Sequence, residues 1–436
     1  MSNEVNSSEQ SKKKPDWKKI EAIACGYLRI AGTWYKKCVH PVTKHEVLEH
    51  VRPEDIIKDY QYLGDKAGAM ILGSAAKYIN YVNMPDHLNY SESVESPTKD
   101  LYYNIYRPIN HKPQEGGDFS HIDSLIHHIF GEQYEMGMDY VELLYIQPTK
   151  RLPVLVLVSK ENGTGKSTFC NFLHALFGEN CVQITNETLR SNFNSTWVSK
   201  LLVYCEETLL DRREDSEKIK NLTTAENVPS EAKGKDRTMV QTYIKFILCS
   251  NDENRPVILT ADDTRHWVRK VAVITDKNPN ENFLEECKKE IPAFLHHLTQ
   301  RKLTTSGTDR LWFRPEETRT RAWQRVVTGS IPKLDREIAS MLIDIMEELQ
   351  IKELKYDATS LLLAVKCTSI PADLRCSVSK TDIKNILRSW GLSASKKTER
   401  FDFYWMDGTG VLHEEKNKTG KCYLITKEIL LKWIDE

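Results

Sequence analysis

The ten residues SKENGTGKST (Ser159–Thr168) follow the apolar run LPVLVLV and precede FCNFLHALFG, so a buried strand passes through a glycine-rich turn straight into an amphipathic helix. Few local features constrain a fold as tightly. The strand fixes the turn in space, the turn aims backbone N–H groups inward, and the helix adds the positive end of its dipole, which together make a phosphate cradle. Gly163 and Gly165 permit backbone conformations that a Cβ would obstruct, Lys166 reaches terminal phosphates, and Ser167 offers a hydroxyl to Mg2+. Asn162, Thr164 and Thr168 complete the loop, whose expected ligand is ATP with Mg2+. The first glycine of the usual pattern G-x-x-x-x-G-K-[ST] is replaced by Lys160.

A site that hydrolyses a nucleoside triphosphate also needs carboxylates at the end of a neighbouring strand. KLLVYCEE supplies an apolar strand ending in Glu206, expected to hold the metal, and Glu207, expected to orient or deprotonate the attacking water. YIKFILCSN ends a further apolar strand at Asn251, a polar sensor for the γ-phosphate or an ordinary turn former. Between these strands lies NLTTAENVPSEAKGKDRTMVQ, whose Lys233, Lys235 and Arg237 suit a basic hairpin that holds phosphodiester oxygens without reading sequence, or a merely solvated loop. LTADDTRHWVRKVAVIT places Arg265 and Arg269 near the last strand of the region. Arg265 is the first choice for an arginine finger offered across a subunit boundary, against a surface arginine paired with Asp262 or Asp263.

Around this centre the chain divides into four stretches. Residues 1–15 read as a disordered polar tail, 16–148 as a mainly helical N-terminal region, 149–300 as the P-loop ATPase domain, and 301–436 as a C-terminal helical and winged-helix domain. In the ATPase domain, apolar runs at 153–158, 181–184, 201–205, 243–249 and 271–274 predict a mainly parallel sheet, so the fold class is α/β. Near the end, SKTDIKNILRSWGL predicts an amphipathic helix capped by Ser379, followed by a hairpin around the DG turn and a closing helix, which is the winged-helix order. Lys380, Lys384 and Arg388 recur at four-residue spacing on that helix, suited to duplex DNA or to a protein partner.

The balance of 61 basic and 62 acidic side chains gives a net charge of −1, so nucleic-acid contacts must come from local patches. No run approaches a membrane span, no apolar segment follows the N-terminal lysines, and the ten cysteines fit a reducing cytoplasm rather than a disulfide scaffold. Cys25, Cys38, His40 and His45 lack the paired spacing of a zinc site.

The ordered set NGTGKST, LLVYCEE, basic loop and FILCSN resembles the superfamily 3 helicases, and within them the primase-helicase proteins of phages, plasmids and prophages. The paired glutamates look like those of parvoviral replication helicases. The resemblance implies an AAA+-like ATPase that forms a hexameric ring, with nucleotide between subunits and single-stranded DNA in the pore. It assigns Lys166 and Ser167 to phosphate and Mg2+, Glu206 and Glu207 to metal and water, Lys233 to DNA, Asn251 to the sensor and Arg265 to the finger. No D-x-D pair in the first 150 residues suits a two-metal nucleotidyl transferase, so a primase is expected on another polypeptide. A different class remains open: a P-loop ATPase that remodels a protein partner, or signals in host defence, without unwinding.

Overall fold

The computed structural model describes residues 16–41, 46–234, 236–275, 280–307 and 310–434; the tail at 1–15 and the candidates His45 and Lys235 lie outside them. Its centre is a five-stranded sheet of β1 (Val154–Val158), β2 (Cys181–Ile184), β3 (Leu202–Cys205), β4 (Lys245–Ser250) and β5 (His266–Lys270). The order is β5-β1-β4-β3-β2, and every neighbouring pair is parallel.

A parallel sheet covered on both faces needs strands that are apolar throughout, and VLVLV satisfies this with no polar residue. Leu155 and Leu157 pack into one core with residues of helices α1 (Ser120–Phe130), α2 (Tyr134–Ile146), α3 (Lys166–Phe177) and α5 (Phe283–Gln300). Val154, Val156 and Val158 point the other way, to a second core with Trp197, Ile219 and Leu222 of α4 (Arg213–Thr224), and Trp323 and Val326 of α6 (Arg321–Gly329). Truncating one such leucine to alanine costs about 2–5 kcal/mol, so the two cores hold β1, and with it the loop it feeds, firmly in place.

One strand differs from expectation. The fifth is His266–Lys270, not 271–274, because Val154 N–H bonds to Arg265 O and Val271 N–H to Val158 O, bracketing the pairing with β1. Its Arg269 and Lys270 hide the strand from a hydropathy reading, and VAVI lies beyond the last paired residue.

The N-terminal region also departs from the mainly helical reading. Residues 16–104 hold the helices Trp17–Ala24, Pro53–Asp59 and Ala67–Ser74, but also a four-stranded sheet in the order Glu46–His50, Thr33–Val39, Tyr27–Ile30, Ala76–Tyr78 and a three-stranded sheet of Asn80–Val82, Leu101–Asn104 and Ser93–Glu95. The cause is visible at Ala31 and Gly32, whose φ values of 48° and 84° build the primed turn that joins twisted antiparallel strands. Leu28 and Ile30 pack with Tyr103 on one side of the first strand, and Tyr27 beneath the helices on the other, a period of two.

The C-terminal stretch has its own core of residues from Ile338 to Leu430. Its elements run helix Lys333–Glu348, strand Glu353–Tyr356, helices Ala358–Cys367, Ala372–Arg375 and Lys380–Ser389, hairpin Glu399–Met406 with Leu412–Gly420, and strand Tyr423–Thr426, which pairs antiparallel with Glu353–Tyr356. Ser379 caps the Lys380 helix through a reciprocal capping box with Asp382. The expected closing helix is a single turn, Lys427–Leu430, continued as a 3-10 turn. Among the described residues no helix is long and apolar enough to cross a membrane.

Candidate nucleotide site and basic hairpin

The loop between β1 and α3 adopts the geometry its glycines allow. Gly163 and Gly165 stand at φ of +68° and +84°, and Gly165 is the residue before the first turn of α3. Lys160 is not among the residues at positive φ, so glycine is not required there; its backbone N–H donates to Glu253 Oε1 at 3.0 Å.

The Lys166 ammonium lies inside the loop. It donates to Ser159 Oγ, to Thr164 Oγ1 at 3.2 Å and to Asn251 Oδ1 at 3.1 Å, and burial pulls its pKa below the usual lysine value. Asn251 in turn donates to Asn162 Oδ1 at 2.8 Å, tying the tip of β4 to the loop. A cleft of about 240 Å³ joins Asn162, Gly163, Thr164, Gly165, Lys166, Ser167 and Thr168 to Glu206, Glu207 and Asn251. Three segments separated by up to 89 positions thus converge on one pocket.

The two glutamates differ in setting. Glu206 Oε2 accepts from Gln183 Nε2 at 3.2 Å, while its Oε1 is buried with no hydrogen-bond partner. Glu207 is exposed, its φ of 53° lies in the left-handed region, and its carbonyl accepts from Asn186 Nδ2 at 3.2 Å. A non-glycine residue there is strained by about 1–2 kcal/mol, a cost met with at functional turns. The donor set fits a Mg-nucleotide: glycine-rich backbone, a buried ammonium now satisfied by three side-chain oxygens, an exposed Ser167 hydroxyl and an unsatisfied carboxylate oxygen.

The two arginines separate clearly. Arg269 is buried, its guanidinium bonded to Glu132 Oε1 at 2.6 Å, Gln133 Oε1 at 2.9 Å and Phe130 O at 2.5 Å. The Arg269 partnership holds the Glu132 carboxyl at about 2, well below its ordinary value. Arg265, by contrast, has no side-chain hydrogen bond or ion pair among the described residues. Asp263 does not pair with its guanidinium, since that carboxylate takes the Arg265 N–H at 3.1 Å, His266 Nδ1 at 2.9 Å and Lys220 Nζ at 3.1 Å. Arg265 precedes β5, whereas the phosphate loop follows the far end of β1. Five paired residues, about 16 Å, lie between them, so Arg265 cannot serve its own loop.

The segment before β4 forms a hairpin, Asn227–Ser230 with Thr238–Gln241. Asn194 braces the first strand where it enters the loop: Nδ2 donates to Pro229 O at 2.9 Å and Oδ1 accepts from Glu231 N–H at 2.8 Å. Lys233 is exposed at the tip beside Gly234 at φ +74°. Arg237 is exposed too but bonds Glu231 Oε2 at 2.8 Å, so part of its charge is spent within the hairpin. Cys25 and Cys38 form no metal cluster with other His, Cys, Asp or Glu groups among the described residues.

Residues 157–270, the stretch from β1 through β5, match the model of a family of unknown function, DUF5906. No curated protein matches the sequence. Among solved structures, the apo structure of the NrS-1 C-terminal region (305–718) superposes with a TM-score of 0.58 at 16% identity, covering 85% of this chain and 93% of that one. An A form of the same apo region gives 0.54 at 17% identity, over 74% and 79%. A JCV helicase bound to a small molecule matches at a TM-score of only 0.26 and 12% identity over 62% and 65%, a score from which no shared fold follows. The likeness to NrS-1 extends across most of both chains and is one of fold: a mixed α/β chain around a five-stranded parallel sheet.

Several groups at the site carry no local motif. His128 Nε2 sits 3.0 Å from Thr164 O, and Ile274 lines the mouth of the cleft. Glu253, buried, binds Lys270 Nζ at 3.0 Å and Arg325 Nη1 at 2.9 Å as well as the Lys160 N–H. The only sequence signal for Glu253 is its place two residues beyond Asn251.

Proposed function

We propose that the chain is an ATP-hydrolysing DNA helicase that assembles as a ring, a hexamer on the family resemblance, and moves along single-stranded DNA. The observation that carries this reading is the convergence of Lys166, Asn251, Glu206 and Glu207 on one cleft at the strand ends of a parallel sheet.

In this reading the β- and γ-phosphates replace the Ser159, Thr164 and Asn251 oxygens around the Lys166 ammonium, and the loop N–H groups accept the remaining charge. Mg2+, held by Ser167 and Glu206, would neutralise the phosphate oxygens when bound. Glu207, exposed in the cleft, directs water in line with the γ-phosphate, and Asn251 reports whether that phosphate is present. Arg265 has no side-chain hydrogen bond or ion pair among the described residues and is too far from its own loop, which suits a finger lent to the neighbouring subunit, where it stabilises charge on the transferring group.

The basic hairpin stands before the start of β4, at the end of the parallel strands opposite the phosphate loop, which suits a DNA contact placed away from the nucleotide. Lys233, with Lys235 and Arg237, binds phosphodiester oxygens there, so affinity for single strands is salt-dependent and indifferent to sequence. The C-terminal stretch, with its helices, strand pair and hairpin, is a winged helix.

ATP turnover and fork unwinding by the wild type and Lys166→Ala, with oligomer mass measured in parallel, test the reading. Lys166→Ala should abolish both activities and keep the fold. Turnover stimulated only by a protein partner, with no unwinding, would instead select a remodelling ATPase.

A further inference from the structure

The Lys380–Ser389 helix buries Ile383, Ile386 and Leu387 and leaves Lys380, Thr381, Lys384, Asn385, Arg388 and Ser389 exposed. Lys380, Lys384 and Arg388 are four residues apart, about 6 Å of rise per step, so they form one stripe along the helix. The loop that leaves the helix adds exposed Lys396 and Lys397, and the following strand adds exposed Arg400. Residues 380–400 therefore carry six cations against two acids, in a chain whose net charge is −1.

Both acids are already engaged. Asp382 Oδ2 accepts from the Ser379 N–H at 2.8 Å and its hydroxyl at 2.7 Å, and Glu399 pairs with Lys355 at 3.0 Å. None of the six cations forms an ion pair among the described residues, whereas Lys416 and Lys418 on the adjoining hairpin are paired with Glu414 and Glu415. Six cations in 21 residues without an ion-pair partner among the described residues make a concentrated positive surface, which a polyanion complements along its length.

We propose that this face of the C-terminal module is a docking surface for the phosphate backbone of duplex DNA. An exposed helix of this size fits the major groove, roughly 12 Å wide, and Thr381 and Asn385 supply short hydrogen-bonding side chains between the cations. Single strands are held by bases stacked on aromatic rings. The exposed helix face has no ring, because Trp390 is buried. The surface is separate from the hairpin of Lys233 and needs no nucleotide, so the proposal stands whether or not the chain unwinds DNA.

The test uses the full chain without ATP, measuring binding to a fluorescent 20-base-pair duplex and to a 20-nucleotide strand across a salt series. The triple variant Lys380→Ala, Lys384→Ala, Arg388→Ala changes only exposed side chains, and its melting curve checks that it folds. Duplex affinity should fall about tenfold or more, and the slope of log K against log salt should shrink by about 2.7, the value for three lost phosphate contacts. Single-strand affinity should change less than twofold or so, since the Lys233 hairpin is intact. Duplex binding and salt slope equal to the wild type would overturn the proposal, and a loss confined to the single strand would overturn its assignment to duplex.

Discussion

The Lys160 N–H donates to Glu253 Oε1 at 3.0 Å, so the phosphate loop begins on a carboxylate supplied from beyond β4. The same carboxylate holds Lys270 at the end of β5 and Arg325 on α6. Burial raises the Glu253 pKa, but the two cations and the amide outweigh it and leave the group below its ordinary value. Glu253→Gln keeps the shape and removes the charge. Lys270 and Arg325 are half in water, so the expected loss of stability is modest, about 1–2 kcal/mol. The larger effect falls on the loop: fluorescent-nucleotide titration should show weaker binding by roughly fivefold, about 1 kcal/mol, the difference between a charge-assisted and a neutral hydrogen bond to the Lys160 N–H. Nucleotide affinity equal to wild type in Glu253→Gln would make this contact structural only.

The loop, its flanking strand and helix, the acid pair and Asn251 were legible in the sequence because each is a local pattern, a run of apolar residues ending in a defined polar type. Glu253, His128 and Arg325 were not, because each meets the loop only through tertiary packing, Arg325 from 72 positions beyond Glu253. The fifth strand escapes a hydropathy reading for a related reason. Arg269 sits inside β5 with a guanidinium neutralised by Glu132 of the preceding helical layer, and no reading of HWVRK alone reveals that partner. The N-terminal strands leave no local signature because their pairing, Tyr27–Ile30 with Ala76–Tyr78, spans about fifty residues of mixed pattern.

Glu207→Gln separates binding from chemistry. The side chain keeps its size, but an amide is a poor base, and loss of a positioned general base lowers turnover by about 10²–10⁴-fold. Nucleotide should bind as in the wild type, since Lys166 and the loop amides are untouched, and Glu206→Gln should instead raise the Mg2+ concentration needed for half-maximal turnover. Steady-state turnover with a magnesium titration distinguishes the two glutamates. Equal effects of both substitutions on magnesium dependence would exclude the division of roles.

His87 gives a pH dependence that has nothing to do with catalysis. Its ring stacks on Tyr145 and meets Tyr106 and Phe177, and Tyr106 Oη lies 3.2 Å from Nε2. Burial lowers its pKa to about 4. A histidine depressed in the fold takes up its proton first in the unfolded chain, so its share of stability is present above the ordinary value of about 6.5 and is lost as pH falls from there towards 4. The loss amounts to about 2–3 kcal/mol. Melting curves between pH 7.5 and 4.5 should show a decline, and His87→Phe, which cannot take the proton, should flatten that decline relative to the wild type. An unchanged slope in His87→Phe would assign the acid sensitivity to other groups.

Arg265 and Arg269, four positions apart, should behave as different kinds of residue. Arg269→Ala removes a buried guanidinium, leaves Phe130 O without its Arg269 donor and Gln133 Oε1 with Trp267 Nε1 alone, so it should lower stability by about 2–4 kcal/mol and reduce soluble yield. Arg265→Ala breaks no side-chain hydrogen bond or ion pair among the described residues and should melt close to the wild type, yet ATP turnover by the assembled protein should drop about 10³-fold, the order lost with an arginine finger. The defect must also be complementable. In a ring that mixes Arg265→Ala with Lys166→Ala subunits, an intact loop on the first meets an intact Arg265 on the second, so the mixture should recover part of the turnover that neither variant shows alone. Recovery requires that the finger act on a neighbour, because β5 sets Arg265 about 16 Å from its own loop. Turnover that stays at the sum of the two separate variants, while mass measurement confirms mixed assemblies, would remove Arg265 from the nucleotide site.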